Sequence, residues 1–182
     1  PELKTSFNAL LREMDYFTLE VEELNEQIFQ LVDSDKKLAE IVDRLSCVRG
    51  FSKLSASIYA IEMYNQERFK KPYAVGPYLG LVPSQNDTGT RICHGNITKC
   101  GNKHLRTTLI LAANVFMKRR PSGFKIPEGV KVDNDTLMFI DKTNRRLYKK
   151  RDDMKKRGKH PNVIKVALAR ELAEHICILE QL

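Results

Sequence analysis

The sequence has no long hydrophobic run. In its 182 residues no stretch of about 18 consecutive apolar, uncharged residues occurs, so we predict no transmembrane helix and no membrane partner. The chain begins Pro1-Glu2-Leu3-Lys4, which has neither the pattern of a signal peptide nor an initiator Met. This start is typical of a piece cut from a longer protein.

Cysteine is also scarce. The four cysteines lie far apart, at positions 47, 93, 100 and 177. They are too sparse for a secreted disulfide scaffold and are more typical of reduced thiols in a cytoplasm. Cys93 and Cys100 could join His94 and His104 in a zinc site, but these spacings match no common zinc finger. We therefore predict no metal ligand in this chain.

Acidic residues are few outside the first quarter of the chain. Residues 1–45 contain 11 acidic and 5 basic side chains, whereas residues 46–182 contain 12 acidic and 26 basic ones. The overall net charge of +8 conceals this division. Because a strongly basic surface is typical of proteins that bind a polyanion, residues 46–182 are predicted to bind nucleic acid.

Glycine and proline are absent from residues 2–49. Within that stretch nine apolar residues follow a strict 4-3 spacing, which places them on one narrow helical seam: Leu3, Phe7, Leu10, Met14, Phe17, Val21, Leu24, Ile28 and Leu31. The pattern predicts a coiled coil, formed between chains or within a hairpin, and a homo-oligomer assembled through residues 3–31. A single amphipathic helix packed on its own domain is the alternative, although its apolar stripe would usually be wider.

The seam weakens near residue 45, where the charge also changes sign. We therefore predict two parts, a coiled-coil helix at 1–45 and a compact domain at 46–182. Further helical patterns, separated by loops rich in Gly, Pro, Asn and Thr, follow at 107–117, 137–156 and 163–182. Since strand patterns are nearly absent, the predicted fold class is mainly all-α.

A glycine turn opens the second part. Gly50 separates two helical patterns and predicts a helix-hairpin-helix unit. The backbone N–H groups of such a turn and of the following helix can hold a phosphate, and Arg49 and Lys53 flank this turn with positive charge. A helical hairpin that turns on glycine and binds nothing is the alternative.

The most informative stretch lies between positions 80 and 106. It reads Gly80-Leu81-Val82-Pro83, then Thr88-Gly89 after four residues, then Gly95-Asn96-Ile97-Thr98-Lys99-Cys100-Gly101-Asn102, and finally Leu105-Arg106. This arrangement resembles the C-terminal domain of the insertion-sequence transposases that also include the Piv-type DNA invertases. Their signature has the same parts in the same order, with Ser where Thr88 stands here. The resemblance covers roughly residues 45–182.

The resemblance implies a division of labour. In that family a RuvC-like nuclease domain with four acidic metal ligands precedes a coiled coil and this domain, and the whole protein breaks and rejoins DNA. The nuclease domain has no counterpart here, so Mg²⁺ is expected in that missing domain and no cofactor in this chain. Besides DNA, a structured guide RNA is a candidate partner, because some members use one. The chain is expected to bind DNA in a bacterial nucleoid but to be inactive alone.

Thr88 occupies the position of the family's nucleophilic serine, and Gly89 follows it. A hydroxyl ahead of glycine can approach a phosphodiester closely, because glycine adds no side chain. Ser84 is the alternative hydroxyl. The methyl group of threonine stiffens χ1 and crowds an in-line attack, so the rival hypothesis is an inactive nucleic-acid-binding module derived from a transposase. Transition-state charge would be neutralised by four nearby cations, Arg91, Lys99, Lys103 and Arg106.

A second basic cluster lies near the C-terminus. Ten cations fall within eighteen residues: Lys142, Arg145, Arg146, Lys149, Lys150, Arg151, Lys155, Lys156, Arg157 and Lys159. A solvated helix face is the alternative, but the favoured interpretation is contact with nucleic-acid phosphates through Arg145, Arg146, Lys149, Lys150, Lys155 and Lys156. Few aromatic residues accompany the run, which favours binding of the backbone over stacking on bases.

Overall fold

A computed structural model describes residues 2–63, 69–85, 94–118, 120, 123 and 126–180. Most of these residues are helical: α1 Glu2–Ser34, α2 Lys36–Ser46, α3 Lys53–Met63, α4 Val75–Tyr78, α5 Lys103–Phe116, α6 Asn134–Lys156 and α7 Pro161–Leu179. The described ranges also contain a 3-10 turn, Pro72–Ala74, and two paired strands, β1 Pro83–Gln85 and β2 His94–Ile97. The predicted fold class, mainly all-α, is confirmed. None of the described helices is long and apolar enough to cross a membrane.

The first helix is an exposed arm. α1 runs for 33 residues, and Asp35 then caps α2 by accepting a hydrogen bond from the Leu38 N–H at 3.2 Å. The predicted seam is open along most of α1, because its residues from Leu3 to Leu24, and again Leu31, are each more than half exposed. The alternative of packing this face on the chain's own domain is therefore wrong for that stretch. The coiled coil stays a prediction.

The end of α1 joins the hydrophobic core. Val32, Val42 and Leu45 are fully buried and belong to the same cluster as the buried residues of α5, α6 and α7. The core thus includes side chains that precede residue 45. The division of the chain into two domains at that residue stays a prediction.

α7 lies at the centre of the packing, in contact with α4, α5 and α6. Its core side chains recur every three or four residues, at Ile164, Leu168, Leu172, Ile176 and Leu179. The apolar faces of the two preceding helices are buried as well: Leu105, Leu109, Ala112, Ala113 and Phe116 on α5, with Ile140 and Leu147 on α6. Their apolar residues recur with helical spacing because each helix has one side against the core and one in water.

One cation of the basic run is internal. Arg151 is only 9% exposed. Its Nη1 donates hydrogen bonds to the carbonyl oxygens of Phe116 at 2.8 Å and Lys118 at 2.6 Å, at the end of α5. Helix C-termini leave such carbonyls without partners, so this guanidinium satisfies groups that would otherwise be unpaired. Arg151 therefore ties α6 to α5 and does not belong to the surface that the charge run predicted.

A buried carboxylate joins the two C-terminal helices. Glu171 on α7 is 6% exposed and accepts hydrogen bonds from Arg146 Nε at 2.5 Å and from Lys150 Nζ, both on α6. The Nε2 of His175 lies 3.8 Å from the same carboxylate. Burial alone would raise the pKa of Glu171, but the polar contacts of its carboxylate with His175, Lys150 and Arg146 outweigh it and hold that pKa well below its usual range.

Replacing Glu171 with Gln should lower the free energy of unfolding at neutral pH by about 1–3 kcal/mol, because two cations lose their buried partner while staying partly solvated. The folded-state pKa of Glu171 is depressed, so its contribution is complete above the unfolded value and is lost as the pH falls below it. Denaturant unfolding should therefore show that the wild type loses more stability on acidification than the variant. Glu174→Gln, at a more exposed pair with Arg170, is the control. Identical pH profiles for wild type and Glu171→Gln would contradict this account.

Candidate active-site scaffold and nucleic-acid interface

The residues around the candidate nucleophile form a short hairpin. β1 and β2 pair antiparallel, with Pro83 opposite Ile97 and Gln85 opposite His94. The predicted catalytic Thr88 and Gly89, together with Arg91, lie outside the described residues. The paired strands nevertheless bring together the two ends of the segment that contains them, residues 86–93. The rival hydroxyl Ser84 packs against β2, since a Cβ on Gly95 would lie 2.4 Å from its Oγ.

The two halves of the sequence motif touch through their glycines. Gly80 has φ +66°, and a Cβ there would lie 2.3 Å from the carbonyl oxygen of Cys100. Gly101 has φ +83°, and a Cβ there would lie 2.1 Å from the carbonyl oxygen of Tyr78. Any side chain would collide with backbone at both places, and the backbone conformation itself disfavours other residues. The motif glycines are therefore needed for a reciprocal backbone contact.

Hydrogen bonds also join the two backbone segments that meet at Gly80 and Gly101. The Lys99 N–H donates to the carbonyl of Gly80 at 3.2 Å, and the Thr98 N–H donates to that of Val82 at 2.9 Å. Arg106 Nη1 donates to the carbonyl oxygens of Leu79 and Cys100, each at 3.3 Å. One nitrogen of this half-buried guanidinium thus holds both halves of the motif together. Its predicted role in neutralising a phosphate stays untested.

The motif asparagine starts α5. Asn102 Oδ1 accepts hydrogen bonds from the N–H groups of His104 at 2.8 Å and Leu105 at 3.2 Å, as an N-cap does. Its Nδ2 donates to Glu62 Oε2 on α3 at 2.6 Å. Sequence reasoning missed this link to Glu62, because the two residues lie forty positions apart and only an Asn before a helical pattern hinted at a cap.

Two lysines that are predicted to contact a phosphate lie at the end of the hairpin and the start of α5. Lys99 and Lys103 are both solvent-exposed, and neither forms an ion pair within the part of the chain that the structure describes. Lys99 has φ +55°, the one described non-glycine residue in the left-handed region. Such a conformation costs on the order of 1 kcal/mol for a residue with a Cβ and is often kept for a functional side chain.

The predicted helix-hairpin-helix turn is packed inward. Gly50 has φ +95°, and a Cβ there would lie 2.7 Å from the Ala112 carbonyl oxygen, so this turn presses on the backbone of α5. Lys53 Nζ pairs with Asp33 on α1 at 3.1 Å. The turn therefore connects α2 and α3, and its glycine permits close packing. The helix-hairpin-helix unit, with phosphate binding by the backbone of the turn and by Lys53, stays a prediction.

The cations predicted to bind DNA on α6 fall into two groups. Arg146 and Lys150 are held by Glu171, and Arg145 pairs with Asp141 at 2.6 Å while staying exposed. The others are exposed and form no ion pair among the described residues: Lys149, Lys155 and Lys156.

Because seven residues make nearly two helical turns, Lys142, Lys149 and Lys156 share one face of α6 and span about 21 Å. We call these three lysines the α6 lysine stripe.

Known proteins that are similar in sequence to this chain are named as transposases. Residues 42–125 match the model of the family described as Transposase IS116/IS110/IS902 family. The chain is 33% identical over 137 residues to the putative transposase y4qE of Sinorhizobium fredii, an alignment that covers 75% of this chain and 35% of that protein. It is 34% identical over 120 residues to a probable family 20 transposase of Pseudomonas aeruginosa, covering 64% of this chain and 34% of the relative.

A third relative is the transposase for insertion sequence element IS1328 of Yersinia enterocolitica, 28% identical over 119 residues, which are 65% of this chain and 34% of that protein. This chain carries a transposase domain of the IS116/IS110/IS902 family. It spans about a third of the length of the curated relatives it matches. The residues that match the family model, 42–125, contain α3, both strands and α5. They therefore include the contact that Gly80 and Gly101 form.

Gly101→Ala should destabilise the transposase domain by about 2–4 kcal/mol, because it adds a backbone collision to the cost of a left-handed alanine. Gly129→Ala is the matched control, since Gly129 has φ +80° and nothing within 4 Å of an added Cβ. The control should lose only about 1 kcal/mol in denaturant unfolding, the cost of the backbone conformation alone. Equal losses in both variants would show that the contact with Tyr78 is unimportant.

Proposed function

We propose that this chain is the DNA-binding, C-terminal part of a transposase and that it supplies the hydroxyl loop for DNA strand breakage and rejoining. The observation that supports this most is the reciprocal contact of Gly80 and Gly101. It fixes the base of the hairpin to the start of α5, where Lys99 and Lys103 are exposed, and residues 86–93, with Thr88, connect the opposite ends of the two strands. A reacting phosphate needs a positioned hydroxyl and nearby positive charge.

In the proposed reaction the Thr88 hydroxyl oxygen bonds to the scissile phosphorus and the bond to the leaving deoxyribose oxygen breaks. A general base takes the hydroxyl proton. The described residues contain no group of three or more His, Cys, Asp or Glu side chains that could hold a metal ion. We therefore assign no metal-dependent step to them, and the expected Mg²⁺ would be supplied by a RuvC-like domain elsewhere in the parent protein.

The α6 lysine stripe is the proposed track for DNA. Over about 21 Å it would face roughly six base pairs of duplex, at 3.4 Å per pair. Lysines that contact phosphates position the duplex without reading its sequence. Arg145 and Lys155 both lie to one side of the stripe and widen the positive surface of α6. A structured guide RNA would fit the same track, since the stripe recognises phosphate and not base edges.

A second candidate function is favoured by Thr88 itself. Because the methyl group of threonine crowds the attack, the chain would bind nucleic acid as an inactive module derived from a transposase. Both functions need the lysine stripe and place the protein at the bacterial nucleoid. Only the active transposase needs the Thr88 hydroxyl.

The exposed seam of α1 is the proposed site of homo-oligomerisation. Its eight open apolar residues, from Leu3 to Leu24 and Leu31, follow the 4-3 spacing of a coiled coil and find little to pack on in the chain itself. A row of large apolar side chains in water is costly, so pairing with the same helix of a second copy would stabilise it.

Lys149→Gln with Lys156→Gln should weaken binding to a DNA duplex and reduce the slope of log K against log salt by about 0.9 for each phosphate that is no longer neutralised. The measurement is fluorescence anisotropy of a labelled duplex across salt concentrations. Lys4→Gln, at an exposed lysine on α1, changes the same charge away from the stripe. If Lys4→Gln lowers the affinity as much per charge, only net charge matters and the proposed track is refuted.

In the full-length parent protein, Thr88→Ser should retain or raise the strand-transfer rate, and Thr88→Ala should lower it by about a thousandfold or more, as loss of a nucleophile does. Thr107→Ala, at an exposed hydroxyl on α5, is the matched control. The measurement is transposition between plasmids. If the wild type is as inactive as Thr88→Ala while Thr88→Ser is active, the inactive-module hypothesis is correct.

Leu10→Glu with Phe17→Glu should convert the oligomer to a monomer, because buried glutamates in a seam lose their hydration without gaining partners. Sedimentation velocity measures the change, and circular dichroism shows whether the helix remains. Leu19→Glu, which alters an exposed apolar residue of α1 outside the seam, is the control. A wild-type chain that sediments as a monomer at all accessible concentrations would refute the coiled coil.

A further inference from the structure

Three arginines from separate parts of the chain surround one tyrosine. The Cζ atoms of Arg49, Arg120 and Arg151 lie 5.9, 5.9 and 4.9 Å from the ring centroid of Tyr148. Arg49 comes from the turn before α3, Arg120 from the segment after α5, and the other two residues from α6. Tyr148 is 3% exposed. The fold therefore concentrates three guanidinium groups at one place, which we call the Tyr148 cluster.

Among the residues that the structure describes, little negative charge compensates the Tyr148 cluster. Asp152 pairs with Arg151 at 2.7 Å, and the Nη1 of Arg151 donates to backbone carbonyls. No ion pair with Arg49 or Arg120 occurs within the described ranges. Like charges gathered around one ring repel one another, and cation–π contacts with that ring offset only part of the repulsion.

Two polar groups of the cluster are buried without a partner. Arg49 Nε and the Tyr148 hydroxyl are both inaccessible to water and have no hydrogen-bond partner among the described residues. A buried donor without an acceptor is costly, and a native structure usually provides one. An anion bound at the partly buried side chain of Arg49 would accept hydrogen bonds from its terminal N–H groups and place negative charge beside these two buried donors.

We propose that Arg49 and Arg120 bind one phosphate of the nucleic-acid backbone at the Tyr148 cluster. Guanidinium groups match phosphate because their N–H donors form paired, charge-assisted hydrogen bonds with its oxygens. Arg151 is anchored by carbonyls and Asp152, so it positions the ring and adds charge. The proposal rests on the proposed nucleic-acid binding and adds to it a second contact point, separate from the lysine stripe.

The cluster also gives the helix-hairpin-helix turn a different role. Gly50 is pressed against α5, and Lys53 is paired with Asp33. The turn would contact a phosphate through the side chain of Arg49, and not through the backbone N–H groups that its sequence suggests. DNA held at the cluster would thus touch the α2–α3 turn, the end of α5 and α6 at once.

Inorganic phosphate is the probe for the site itself. Arginine Nε–H resonances of the ¹⁵N-labelled chain should shift saturably for Arg49 during a phosphate titration. Arg120→Gln, at an exposed position, should weaken this binding by about tenfold through loss of charge-assisted hydrogen bonds. Arg12→Gln on α1 makes the same substitution away from the cluster and should change nothing. Shifts that do not saturate, or that persist unchanged in Arg120→Gln, would overturn the site.

A DNA duplex distinguishes the source of the phosphate. Added duplex should displace inorganic phosphate from Arg49, and Arg120→Gln should weaken duplex binding severalfold beyond Arg12→Gln. If the duplex binds through the lysine stripe but neither displaces phosphate nor responds to Arg120→Gln, this inference fails while the proposed function stands. If no duplex binds even to the wild-type chain, the proposed function fails with the nucleic-acid source, and the phosphate titration still decides whether an anion site exists.

Discussion

The structure around the candidate active site depends on two backbone segments that approach too closely for any side chain. At Gly80 and Gly101 the chain before the hairpin lies directly against the chain before α5, and a Cβ at either position would collide with the facing backbone. Hydrogen bonds from Lys99 and Arg106 follow from that approach. The hairpin cannot shift along α5 without breaking all of these contacts together, so the strands that carry the hydroxyl loop are held against the rest of the domain.

Charge in this protein serves two purposes that composition cannot separate. Three cations satisfy particular acceptors: buried Arg151 binds the end of α5, and half-buried Lys150 and exposed Arg146 bind the buried carboxylate of Glu171. A buried charge is tolerated only when it is paired, so these cations are fixed within the fold. Only the remaining exposed cations are free to bind an external anion. A count of basic residues therefore overstates the positive charge available for binding.

The exposed arm and the compact core follow different requirements. α5, α6 and α7 bury their apolar faces against one another, and the domain needs no partner for that. Among the described residues, the apolar seam of α1 meets no such surface before Ile28, which packs against the core. Two kinds of apolar surface thus coexist, one satisfied within the chain and one that a second copy would satisfy.

The sequence by itself determined the helices, their buried faces and the family, because helical periodicity and a motif of fixed spacing are local properties. It identified Gly80 and Gly101 as motif residues without revealing that they touch. Only the tertiary structure decided which cations face water. Arg151 and Lys149 belong to the same charge run in the sequence, but the end of α5 packs beside Arg151 and buries it, whereas Lys149 stays exposed. The link from Asn102 to Glu62 and the gathering of arginines at Tyr148 were likewise invisible, because contacts between distant residues leave no periodic pattern.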